Sequence, residues 1–226
     1  MFRVLLCLIG LSFTPFVQAK SPVLTLSVSP EVKIVFPLLE SAVEEAFKQL
    51  SIEVEFIELP SARATKESKL GHFDGELIRI AEYDQYVPNF IAVPEAYGEM
   101  EIKAYARKET QLNSYDDLLT TTVATARGAR FVKSIQLEFP FETFEVLRWE
   151  QSFLMVSQGR VDATLSTPVY ANLLMKKYDI DNVDAKGLDL GGIKFYLWLD
   201  KKHQAIADKL VPIFKMMKKD QQLGLF

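Results

Sequence analysis

Cysteine and histidine are almost absent from this chain of 226 residues, which contains one cysteine, Cys7, and two histidines, His72 and His203. That shortage rules out a disulfide framework, a cysteine nucleophile paired with histidine and a histidine-rich zinc centre. Neither a G-x-x-x-x-G-K-[ST] nor a G-x-G-x-x-G motif occurs, so no phosphate-cradling loop is expected. Acidic residues are plentiful, yet no spacing singles out a pair suited to hydrolysis. No catalysis, cofactor or metal is therefore expected. Basic residues are scattered apart from the cluster at Lys215 to Lys219, and the formal charge is −4, so nucleic acid is not an expected partner.

Long apolar runs are scarce too. The run from Val4 to Phe13 is too short to cross a hydrocarbon core of about 30 Å, and Pro15 interrupts its end. With Arg3 ahead of it and Val17-x-Ala19 behind, it reads as a secretory signal peptide over residues 1–19, cleaved after Ala19. Cys7 lies inside the apolar run rather than at the cleavage point, so it is not a site of lipid attachment. Cleavage would remove Cys7, and the exported chain would be held by its core alone, as one large or two small domains.

What the chain does contain is a repeated device. KLGHFDGELIRI, from Lys69 to Ile80, joins a helix end at Gly71 to a turn at Asp74 and Gly75 and then to an apolar strand. VSQGRVDATLST repeats it, with Gly159 and Asp162 in the places of Gly71 and Asp74. One such unit in each of two α/β halves is the simplest reading. Val23 to Val28 reads as a strand. Apolar residues at helical spacing from Leu38 to Leu50, after Pro37, read as a helix, and Ile52 to Leu59 as a second strand parallel to the first. Thr121 to Ala126 and Thr143 to Trp149 are predicted strands of the second half. Ser114 with Asp117 suggests a capping box. Tyr178 to Asp189 reads as an irregular return crossing, followed by a strand over Ile193 to Leu199 and a helix from His203 to Lys219.

Together with the ARGARF segment at Ala126 to Phe131 and the final FYLWLDKKH to MMKKD stretch, the two Gly-x-x-Asp units resemble the type II periplasmic solute-binding proteins, of which the amino-acid receptors of bacterial transporters are the best-known members. The resemblance implies an α/β chain of two lobes, each a mixed sheet flanked by helices, joined by two hinge crossings. It implies residues 20–100 as the first part of lobe 1, 101–191 as lobe 2 and 192–226 as the return to lobe 1. It also implies a periplasmic monomer that binds a small molecule and acts with a membrane transporter. A sensor or interaction protein of the same fold is the alternative, and an enzyme on this scaffold a third reading.

Candidate ligand-binding residues follow. Arg79 interrupts an apolar strand near its end and could hold a carboxylate through two hydrogen bonds or sit solvated at the edge. Arg63 opens a helix and is expected to pair with Glu76 or face the cleft. Arg127 and Gly128 join a strand to a helix, where backbone amides can approach an anion, and Arg130 one turn on is expected to point to solvent. In the resembling family this turn clamps the ligand's carboxylate. Glu31, Tyr97, Ser166 and Thr167 complete the set. The amino-acid-binding members carry an acid where Thr167 stands here, and their first-lobe arginine falls nearer Gln85 or Tyr86 than Arg79. An anion, or a polar neutral molecule with apolar parts, is therefore expected in place of an α-amino acid. His72 and His203 read as surface residues.

Overall fold

The computed structural model describes residues 23–223, so the expected signal peptide at residues 1–19 lies outside the described residues. The first sheet begins with β1 (Val23–Val28), followed by α1 (Pro30–Val35), α2 (Leu39–Lys48) and β2 (Glu53–Glu58). The two strands run parallel along their full length. A helix over 30–35 was not anticipated from sequence. Pro30 starts it, since its fixed φ suits a first helical position and its missing N–H costs nothing there. The α2 helix then buries Leu39, Ala42, Val43, Ala46 and Phe47, as its spacing requires.

After α3 (Ser61–Lys69) comes β3 (Gly75–Ile80), parallel to β1. The short strands β4 (Phe90–Ala92) and β5 (Gly98–Glu101) both pair antiparallel with β11 (Gly192–Asp200). The sheet order is β2-β1-β3-β11-β4, with β5 also on β11. The chain passes at Ile102 into a second sheet made of β6 (Lys103–Arg107), β7 (Thr122–Ala126), β8 (Glu142–Val146), β9 (Ala163–Ser166) and β10 (Val183–Ala185), in the order β10-β6-β9-β7-β8. Its helices are α4 (Tyr115–Leu119), α5 (Arg130–Glu138), α6 (Trp149–Ser157) and α7 (Pro168–Lys177). The chain returns through β11 to α8 (Gln204–Lys219), which packs on the first sheet through Ala207, Leu210, Phe214 and Met217. The capping box forms at Ser114 and Asp117. The segment expected to be irregular contains β10, an edge strand too short to leave a periodic signal, and buries Leu188.

The repeated motif builds the same junction in both sheets. Gly71 at φ +77° and Gly159 at φ +70° close α3 and α6 in the left-handed conformation, with their amides donating to Ser68 and Val156 at 3.0 Å. Each aspartate then reaches back to the sheet's leading parallel strand: the Asp74 carboxylate accepts from the Thr25 N–H at 3.0 Å, and that of Asp162 from the Thr122 N–H at 2.8 Å.

Asp74 also takes Lys202 and His203, each at 2.8 Å, which ties the start of α8 to the turn. His203 is therefore not a surface residue: its side chain is 16% exposed. His72 is the exposed one, bonded to Glu67. Burial alone would raise the Asp74 pKa, but the hydrogen bonds from Lys202, His203 and Thr25 outweigh it and hold the carboxyl below its ordinary value. A depressed carboxylate contributes stability above the ordinary pKa of about 3.9 and loses it as pH falls through the folded value. Asp74→Asn is thus expected to cost about 1.5–3 kcal/mol at pH 7. In thermal melts against pH the gap between parent and variant should close below about pH 4; a gap unchanged in acid would assign the loss to the turn geometry instead.

Candidate functional site

Strands β1, β2 and β3 run parallel in one sheet, and β7, β8 and β9 in the other. Their carboxyl ends and the helices that follow them face a common cleft, where open α/β sheets expose helix starts and loop side chains. A cavity of about 150 Å³ lies there. From the first sheet it receives Ser29, Glu31, Val32, Val35 and Phe36 after β1, Ser61 at the start of α3, and Ile78, Arg79 and Ile80 of β3. From the second it receives Gly128, Ala129, Arg130 and Phe131 after β7, Trp149 after β8, Ser166 at the end of β9, and Thr167 and Tyr170 after it. Met100, Ile102 and Phe195 of the crossing segments close it.

Five of the eight residues singled out from sequence therefore line the cavity: Glu31, Arg79, Gly128, Ser166 and Thr167. Thr167 caps α7, its hydroxyl accepting from the Tyr170 N–H at 3.4 Å. The other three lie elsewhere. Arg63 is exposed and pairs with Glu67 at 4.0 Å, neither facing the cleft nor meeting Glu76. Tyr97 is buried in the first core, edge-on to Phe214, its hydroxyl without a hydrogen-bond partner. Arg127 extends the ladder through its amide to the Val146 carbonyl at 2.8 Å and directs its side chain outward to Glu145 at 3.8 Å.

Arg130 is the residue that sequence reasoning misplaced. Gly128 at φ +88° turns the chain sharply, so that Arg130 faces the cavity instead of solvent. Its guanidinium lies 4.2 Å from the ring centre of Tyr86, across the cleft, and its Nε is buried without a hydrogen-bond partner. One face of the cation is occupied by the ring while its N–H donors remain available. Arg130 and Glu31 form no salt bridge among the described residues.

Arg79 is in a different electrostatic state. It forms an ion pair with Glu76, which is 1% exposed. Glu76 also accepts from Ser68 at 2.7 Å and from the Tyr83 hydroxyl. Burial alone would lower the Arg79 pKa, but Glu76 and Tyr83 outweigh it and keep the guanidinium firmly charged. Burial, reinforced by Glu76, pushes the Tyr83 hydroxyl up, so it remains a donor. In a regular strand, residues three apart point to opposite faces. Here Arg79 lies opposite Tyr196 and Glu76 opposite Trp198, a bulge that gives β3 one extra residue and brings Glu76 and Arg79 together. On the facing side, burial pushes the Tyr170 hydroxyl up, and the carboxylate of Glu31 adds to that shift.

The two halves touch in this arrangement. A Cβ on Gly128 would meet the Ala62 backbone nitrogen at 2.7 Å, and Val35 of α1 packs against the core formed by α6 and α7 with β6, β7 and β10. Two mixed sheets with a cleft at the carboxyl ends of their parallel strands define a two-lobed α/β architecture. Comparison assigns it to the type II periplasmic-binding-protein fold. An ancestral arginine-binding protein bound to arginine superposes with a TM-score of 0.69 at 18% identity, over 90% of this chain and 96% of that one. A histidine kinase sensor domain with similarity to periplasmic binding proteins superposes with a TM-score of 0.73 at 10% identity, over 90% and 93%. An uncharacterised protein of Shewanella oneidensis is 25% identical over 203 residues, which cover 87% of this chain and 76% of that protein. No family model matches the chain.

Proposed function

We propose that the chain is a periplasmic receptor that closes its two lobes on a small solute carrying an anionic or polar group and an apolar part, and delivers it to a membrane transporter. The observation that carries this reading is Arg130, a cation on the cavity wall whose Nε is buried with no partner. Arg79 contributes positive potential but is offset by Glu76, so Arg130 is the stronger anion holder. Ser166, Thr167 and the Gly128 turn supply polar contacts, and Glu31 can accept from a donor on the ligand. Closure would be a hinge motion about the two crossings between the sheets. A sensory role is the second reading, favoured by the superposition on a kinase sensor domain; it would use the same cleft and differ in the partner.

A thermal-shift screen against organic acids, amino acids and other metabolites tests the reading. A ligand at about 100 times its dissociation constant should stabilise the protein by roughly 2.7 kcal/mol. Arg130→Ala is then expected to weaken binding roughly ten- to hundredfold, the loss of a charge-assisted hydrogen bond. Arg127→Ala, outside the cavity, should leave affinity unchanged. Equal binding by Arg130→Ala and parent in calorimetry would remove the anion-holding role.

A further inference from the structure

Resting on that reading of the cleft, we infer that the apolar part of the ligand is a planar, aromatic group, read by Phe131 and Trp149 as a specificity-determining pair. The two rings stand beyond the carboxyl ends of β7 and β8, at the starts of α5 and α6, and both border the cavity. They stack on each other with centroids 5.7 Å apart and planes 15° from parallel. Neither ring is fully buried, although each also packs on the second-sheet core. Large aromatic rings with surface left open inside a closed cleft are an unsatisfied apolar surface waiting for a partner. The opposite wall is apolar too, with Phe36, Ile78 and Phe195. The cavity volume of about 150 Å³ matches the size of void that takes up one benzene ring.

Charge argues for the same class. Arg79 is offset by Glu76, so a ligand cation drawn to the aromatic faces would meet the unpaired guanidinium of Arg130 on the cavity wall, against the carboxylate of Glu31. A flat neutral ring meets no such opposition, and stacking on an aromatic face adds about two- to tenfold in affinity beyond area burial. The polar end of the ligand is then left to Arg130, Ser166 and Thr167.

The test uses the purified protein and four probes: 3-phenylpropionate, L-phenylalanine, L-alanine and L-arginine. Affinities come from calorimetry, and tryptophan emission adds a local readout, because the chain has two tryptophans and the other, Trp198, is 3% exposed in the first sheet. The expected result is that a phenyl probe binds at least about tenfold tighter than L-alanine and L-arginine and changes emission in Trp198→Phe but not in Trp149→Phe. Trp149→Phe should keep the preference for the ring, and Trp149→Leu should lose most of it. Phe131→Leu serves as the second variant should Trp149→Leu fail to fold. L-arginine or L-alanine binding as tightly as the phenyl probes overturns the proposal and leaves the cleft reading intact, as does an undiminished ring preference in Trp149→Leu and Phe131→Leu. No thermal shift with these probes or with a wide metabolite screen overturns both.

Discussion

Arg79→Ala should unfold this protein more readily, before any question of ligand arises. The substitution leaves Glu76, 1% exposed, as a buried carboxylate without its cation. Removing one partner of a buried ion pair typically costs about 3–5 kcal/mol, and at this chain length each kcal/mol moves the melting temperature by roughly 2–4 °C. A fall of roughly 6–20 °C in calorimetry is expected. From sequence Arg79 was expected either to hold a ligand carboxylate or to sit solvated at the strand edge, and the buried pair with Glu76 fits neither. The double variant Glu76→Leu with Arg79→Met should recover most of the loss, because two apolar side chains can replace a buried pair at little cost. A melting temperature within about 2 °C of the parent for Arg79→Ala would show that the pair is well solvated. For the same reason a loss of ligand affinity in Arg79→Ala would not by itself report a lost contact, whereas Arg130→Ala, with no acid partner among the described residues, is the cleaner probe.

Gly128→Ala is expected to hold the cleft open. The position has φ +88°, where a side chain costs about 1–2 kcal/mol, and the added methyl would meet the Ala62 nitrogen at 2.7 Å and its α-carbon at 3.1 Å. Those atoms are backbone at the start of α3 and have little freedom to yield. The strain raises the energy of the closed arrangement specifically, since opening the lobes relieves the contact with Ala62. Small-angle scattering should give a larger radius of gyration for the variant than for the parent. Apparent affinity falls with the fraction of molecules able to close, so a tenfold drop in that fraction weakens binding about tenfold. Identical scattering curves for variant and parent would mean that the contact at Ala62 does not govern closure.

The fold was legible from sequence because its signals are local and repeated. The helix spacing of Leu39, Ala42, Val43 and Ala46, the parallel pairing of β1 with β2, the Ser114 capping box and the two Gly-x-x-Asp junctions all depend on residues a few positions apart or on backbone preferences of single residue types. The cleft residues divide along the same line. Gly128, Ser166 and Thr167 stand at or just beyond strand ends and could be placed at the cleft by topology alone. Arg127 and Arg130 could not be told apart, because which of two arginines faces inward depends on the turn angle at Gly128. Trp149 drew no attention because it fell at the expected end of a strand, when in the structure it opens α6 and borders the cavity.

What the sequence by itself determined is the pattern of strands and helices, the doubled turn and the scarcity of cysteine and histidine, since each follows from composition or short-range periodicity. What only the tertiary structure decided is the electrostatic state of the cleft. A bulge in β3 turns Arg79 and Glu76 to the same side and neutralises one cation, and the approach of the two lobes sets Arg130 over Tyr86. Both outcomes come from contacts between strands or lobes, and such contacts depend on long-range packing geometry that no local spacing encodes.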